Sequence, residues 1–107
     1  MAEVKKLNHV AVLVEDIDSA VKFWRDSLGL DLGRVEEVAS QEAKIAFFPL
    51  GESEIELVQP TTADSGLARY LEKQGGGLHH LCFEVDNIAG KLAEMKNKGV
   101  RLINETP

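Results

Sequence analysis

Two stretches of the chain, Leu7 to Leu32 and Leu78 to Leu102, repeat one another, and a duplicated unit restricts the possible folds more than any isolated motif does. The first reads LNHVAVLVEDIDSAVKFWRDSLGLDL and the second LHHLCFEVDNIAGKLAEMKNKGVRL. Aligned without a gap, Leu7 falls on Leu78, His9 on His80, Val14 on Val85 and Ile17 on Ile88. Chemical type persists at Val10 and Leu81, Glu15 and Asp86, Asp16 and Asn87, and Val21 and Leu92. Dropping one residue from the second helix then places Gly29 on Gly99 and Leu32 on Leu102.

Each copy opens with the period-two alternation of a half-buried strand. Val10, Val12 and Val14 share one face while His9, Ala11 and Leu13 share the other; Leu81, Phe83 and Val85 likewise oppose His80, Cys82 and Glu84. A wholly apolar row needs a helix to cover it, which leaves the histidine row of each strand facing a different space. The helices follow at once, with Asp16 and Asn87 placed as N-caps. Ile17, Ala20, Val21, Trp24 and Leu28 form one apolar stripe, Ile88, Leu92 and Met95 the other, and both stripes read as core. Gly29 and Gly99 supply the left-handed residue that ends a helix.

Between the copies, strands are expected over Leu30–Val38, Lys44–Leu50 and Glu54–Gln59, the last two joined by a Gly51-Glu52-Ser53 turn. Pro60-Thr61-Thr62 breaks the sheet, Asp64 or Ser65 caps a short helix to about Lys73, and Gly75-Gly76-Gly77 leads into the second copy. The expected architecture is α+β, paired βαβββ units in a single domain over 1–107. The first unit covers about 5–60, a linker with its helix 61–77, and a partial second unit 78–107 that stops after its second strand.

A chain of 107 residues with 44% apolar and 28% charged side chains has the length and balance of one globular domain. Its net charge of −6 repels phosphate backbones and anionic lipid, which argues against nucleic acid and membrane surfaces as partners. The apolar run Ile45 to Leu50 contains Pro49 and is far shorter than the roughly 18 residues that span a bilayer. Cys82 is the only cysteine and the N-terminus lacks the pattern of a signal peptide, so a reducing cytoplasm is expected.

His9 or His80 alone reads as a hydrogen-bonded structural histidine, but their equivalence under the repeat changes the argument. A pseudo-twofold axis between the units brings equivalent strand positions face to face, and imidazole nitrogens converging on one point suit a divalent ion. Glu56 joins them: in the strand around Ile55 and Leu57 it lies on the opposite face from those two, the face that carries the histidines. A glutamate flanked by Ile and Leu in mid-strand is costly unless paired or metal-bound, the other reading being an edge charge against aggregation.

The opening LNHVAVLVEDIDSAVKFWRDSLGL, the EIELVQP strand and above all DSGLARYLEKQGGGLHHLCFEVDNI resemble the methylmalonyl-CoA epimerases, a family of the vicinal oxygen chelate superfamily that also holds glyoxalases, bleomycin resistance proteins and dioxygenases. The resemblance runs from Leu7 to Pro107 and implies paired βαβββ units curled around a metal-containing cleft. It places the metal ligands on His9, Glu56 and His80 rather than His79, whose strand face is that of Leu81 and Phe83. The implied cofactor is a divalent ion, cobalt first, with manganese, nickel or zinc as alternatives. Inversion of methylmalonyl-CoA by proton abstraction through a metal-stabilised enolate is the implied reaction, with an acyl-CoA substrate and a homodimer as partners. The family's last-strand glutamate has no counterpart before Pro107, and near the expected third-strand position stand Lys44 and Ile45, with Glu42 upstream, so no catalytic base is assigned. A glyoxalase I-like lactoylglutathione lyase and a non-catalytic ligand-binding or dimerisation module of the same fold are the alternatives. Cys82, the Gly75–Gly77 run, and Glu36 and Glu37 read as structural, the last two as a solvated strand end.

Overall fold

The alternating segment around His9 forms strand β1 (Val4–Leu13) in a computed structural model that describes residues 2–107. Its apolar row is covered by α1 (Ile17–Val21), which Asp16 caps by accepting from the Ser19 N–H at 3.0 Å. Lys22–Ser27 continues this helix as a π-helical turn, with the Leu28 N–H donating to the Phe23 carbonyl at 2.8 Å. A single extra residue inside a helix is accommodated in this way, so the turn accounts for the one-residue difference between the two copies. Gly29, at φ 92°, then ends the helix.

Three strands complete the first unit: β2 (Arg34–Val38), β3 (Ala43–Leu50) and β4 (Ser53–Pro60). The strand expected from Leu30 begins only at Arg34. Before it, Gly33 donates to the Phe47 carbonyl at 2.8 Å and lies so close to Pro49 that a Cβ would meet its Cδ at 2.9 Å. Next, α2 (Gly66–Gln74), capped by Ser65, leads to β5 (Gly77–Val85) and α3 (Ile88–Asn97), which Asn87 caps through the Gly90 N–H at 3.0 Å.

All five strands form one mixed sheet in the order β2-β3-β4-β1-β5, with β1 parallel to β4 and antiparallel to β5. Both faces of the first unit carry a core. Ile17, Val21, Ala46, Phe48 and Leu57 pack under α1, with Val12, Val14 and Trp24 against them. On the other face Ala11, Leu13, Ala43, Ile45, Phe47 and Val58 pack with Leu67 and Leu71 of α2. The face assignment from alternation therefore holds throughout the first unit.

The β1–β5 ladder carries the symmetry of the repeat. Val10 pairs with Leu81, its own equivalent, so the local twofold axis passes between them. Exchanging the copies turns His9↔Cys82 into Ala11↔His80, Leu7↔Phe83 into Val12↔Leu78, and Lys6↔Glu84 into Leu13↔Gly77, all of which are observed pairs. Two of the ladder's three irregularities correspond as well, because it skips Asn8 on β1 and its equivalent His79 on β5, while the skip at Lys5 has no counterpart. Each is the extra residue of a β-bulge.

Two expectations for the second unit fail. Leu81 and Phe83 are 50% and 53% exposed and α3 buries no residue, so the apolar row of β5 is not covered as that of β1 is. The expected second strand of that unit is absent among the described residues: the segment after Gly99 is irregular and Ile103 is fully exposed. The physical reason lies in the sheet order. Its counterpart β2 hydrogen-bonds only to β3, and no described strand stands in the position of β3 in the second unit.

Candidate active site

Strands β1, β4 and β5 bring the three sequence-predicted ligands to one cavity of about 660 Å³. Its walls are His9, Glu56, His79 and His80 together with the apolar side chains of Ile45, Phe47, Val58 and Leu67; Glu36 and Gln41 add polar groups. The Nε2 atoms of His9 and His80 stand 3.2 Å apart, with the rings edge to face. On the far side of its ring, the Nδ1 of His9 lies 2.8 Å from Asn8 Oδ1 and 3.3 Å from Glu56 Oε2. The Nδ1 of His80 shares a 2.8 Å hydrogen bond with the Nδ1 of His79, whose ring packs edge to face on Tyr70 of α2.

The electrostatics follow from partial burial. Desolvation pulls the His80 imidazole below its ordinary value, and the neighbouring His79 and His9 push it the same way. The shift favours the neutral imidazole, the form whose nitrogen lone pair can bind a metal. Desolvation raises the Glu56 carboxyl above its ordinary value, with His9 opposing the shift, Glu54 adding to it and Arg34 opposing it.

The donor set fits a first-row divalent ion. Metal–nitrogen bonds of about 2.0–2.1 Å put two imidazole nitrogens of one ion roughly 3.0–3.4 Å apart, and the two Nε2 atoms stand at that separation. Among the described residues no three His, Cys, Asp or Glu groups form a ready metal cage. Glu56 rests against the Nδ1 side of His9, so its carboxylate must rotate to join the two Nε2 atoms.

Some residues stand elsewhere than expected. His79 does not sit with Leu81 and Phe83 away from the site: the bulge interrupts alternation and turns it into the cavity beside His80. The doubled histidine was the available signal. Glu36 is not merely a solvated strand end but lines the cavity, tied to the Arg34 Nε at 2.9 Å, and Arg34 in turn lies 3.8 Å over the Phe47 ring. The period-two row Arg34, Glu36, Val38 carried that information. Lys44 lies on the α1 side of the sheet near Asp16, and Glu42 adopts φ 51° and accepts from the Thr62 hydroxyl at 3.2 Å, so neither joins the histidines. Cys82 is a half-buried free thiol paired across the ladder with His9.

Residues 8–107 match the family model described as Glyoxalase/Bleomycin resistance protein/Dioxygenase superfamily. The chain is 38% identical over 101 residues to the mitochondrial methylmalonyl-CoA epimerase of Mus musculus, covering 94% of this chain and 57% of the mouse protein. It is 34% identical to the ethylmalonyl-CoA/methylmalonyl-CoA epimerase of Cereibacter sphaeroides, covering 94% of this chain and 75% of that protein. A structure of Streptomyces coelicolor methylmalonyl-CoA epimerase, a variant in complex with 2-nitronate-propionyl-CoA, superposes with a TM-score of 0.84 at 27% identity over 98% of this chain and 77% of that one. Proteins named as probable lactoylglutathione lyases are more distant, at 28% identity in Synechocystis. The chain thus spans little more than half the length of the mouse relative. With the sheet, the paired strands and the sequence in agreement, the chain belongs to the glyoxalase/bleomycin resistance protein/dioxygenase superfamily and sits among its methylmalonyl-CoA epimerases.

Proposed function

We propose that this domain interconverts (R)- and (S)-methylmalonyl-CoA, and the observation that carries the proposal is the meeting of the His9 and His80 Nε2 atoms in one half-apolar cavity that Glu56 also lines. The relatives named as epimerases and the neighbour bound to an acyl-CoA analogue support the substrate class. The reacting carbon lies between a carboxylate and a thioester, and its hydrogen is too weakly acidic to leave in neutral water unaided. His9, Glu56 and His80 would hold a divalent ion, with cobalt first and manganese, nickel or zinc as alternatives, supplying a Lewis acid that draws off negative charge as the proton leaves. The chain's own contribution is to favour the neutral form of His80, to bring two Nε2 atoms together, and to wall the reacting carbon from water with Ile45, Phe47, Val58 and Leu67. A homodimer acting in the cytoplasm completes the proposal. The free edge of β5 and its exposed row Leu81 and Phe83 are the surface that assembly would use.

Solvent hydrogen exchange tests it. Methylmalonyl-CoA incubated with the protein in heavy water is expected to gain deuterium at the central carbon, and His80→Ala is expected to slow this by at least about 100-fold. Undiminished exchange in His80→Ala overturns the assignment of the site. Turnover of the methylglyoxal–glutathione adduct without exchange into methylmalonyl-CoA would instead make the chain a lactoylglutathione lyase. Failure of purified, reconstituted protein to hold a stoichiometric divalent ion would favour a non-catalytic binding module.

A further inference from the structure

Among the described residues, Leu67 is the one apolar side chain of the histidine cavity that a helix supplies; the others stand on strands. Ile45 and Val58, paired across β3 and β4 and only 6% and 7% exposed, belong to the core against which Leu67 packs. The helix is tied down on both sides of it. Ser65, itself buried, accepts from the Ala68 N–H at 3.0 Å, and the Tyr70 ring rests on His79 with centroids 5.0 Å apart. The polar lining residues Glu36 and Gln41, on β2 and the turn after it, are exposed. The cavity thus has an apolar wall of fixed position and, at the β2 side, a wet rim.

The reacting carbon of the proposed substrate carries a carboxylate, a thioester, an alkyl group and the hydrogen that leaves. Loss of the proton makes the carbon planar and its return from the other side inverts it, while the three heavier groups stay where they are. One alkyl site therefore serves both epimers. The carboxylate and the thioester oxygen cannot lie on the apolar wall without losing their hydrogen-bond partners, so they belong with the imidazoles and Glu56. The alkyl group has the opposite demand, and the polar arm beyond the sulfur can leave past Glu36 and Gln41.

We propose that the alkyl substituent of the substrate lies against Ile45, Val58 and Leu67, and that Leu67 sets the longest chain the site accepts. Ile45 and Val58 also hold the sheet together, whereas Leu67 is half-buried on α2, where a change of size alters the wall more than the fold. Leu71, one turn further along α2, packs on the same core but lines a different cavity, beside Glu15 and Thr61. The inference rests on the epimerase reading and adds the residue that limits its substrate.

Deuterium uptake from heavy water, measured as kcat/KM for methylmalonyl-CoA and for butylmalonyl-CoA, gives a butyl-to-methyl ratio that a general loss of activity does not move. The ratio is expected to rise about 10-fold in Leu67→Ala and to fall about 10-fold in Leu67→Phe, the scale of a few methylenes gained or lost in an apolar pocket. Leu71→Ala, which loosens the same core, is expected to lower stability and leave the ratio alone. A ratio that does not rise in folded Leu67→Ala and fall in folded Leu67→Phe overturns the proposal, and so does an equal rise in Leu71→Ala. If the unaltered protein exchanges neither thioester, the epimerase reading itself fails and this one falls with it; exchange with an unmoved ratio overturns the role of Leu67 alone.

Discussion

The two copies of the repeat begin from the same strand pattern and reach different degrees of burial. In the first, Val12, Val14 and Ile17 join a core around Phe48 and Leu57, both wholly buried. In the second, Leu81, Phe83 and Ile88 are at least half exposed, and α3 buries nothing. The difference lies in the partners. α1 packs on β3 and β4 of its own unit, and no described strand provides that surface for α3. An amphipathic pattern specifies which side of an element seeks cover, whereas the cover itself comes from other segments.

Core truncation should expose this contrast most strongly. Phe48→Ala is expected to cost about 3–5 kcal/mol, while Phe83→Ala, at a residue 53% exposed, should cost less than about 1 kcal/mol in the monomer. Denaturant midpoints of the two variants measure this directly, and equal losses would show that the second copy is as well packed as the first. A smaller effect comes from the residues that follow the helices. Gly33→Ala drives a Cβ against Pro49 and the Phe47 carbonyl and should cost about 1–3 kcal/mol, whereas its counterpart Ile103, fully exposed, should tolerate alanine with no change in thermal midpoint.

The smallest expected effect separates the two helix caps by pH. Hydrogen bonds from the Ser19 side chain and backbone hold the Asp16 carboxyl below its ordinary value of 3.8. The folded chain therefore binds its proton less readily than the unfolded chain. The cap's contribution is fully present above 3.8 and is lost as pH falls through the lower folded value. Asn87, its counterpart, does not titrate. Amide protection factors, which correct for the intrinsic pH dependence of exchange, should fall on acidification at Ser19 and stay level at Gly90, and Asp16→Asn should remove the difference; a fall at both would assign the effect to general acid unfolding.

Much of this was legible in order of locality. Caps at Asp16 and Asn87, one at Asp64 or Ser65 that the structure gives to Ser65, the left-handed glycines 29 and 99, and the two faces of β4 all depend on neighbours within one or two turns of chain. The twofold relation of β1 to β5 was legible for a different reason, since the duplication itself implies it, whereas their direct antiparallel pairing came only from the structure. What escaped was a change of count. Strict alternation turns His79 away from His80, and one unpaired residue reverses that conclusion without altering composition or hydropathy. Glu36 was misplaced because charge was weighed before its place in the Arg34–Val38 row.

The π-helical turn at Lys22–Ser27 shows how the chain absorbs an unmatched residue without passing the error on. Had the surplus fallen within β1 or β2 with no bulge to absorb it, every side chain beyond it would have changed sides. Held as a widened coil between Val21 and Leu28, it leaves the histidine strand before it and the Arg34–Val38 strand after it in phase. This connection thus acts as a store of slack, where evolution or an engineer can add or remove a residue while the cavity on the opposite face of the sheet keeps its shape.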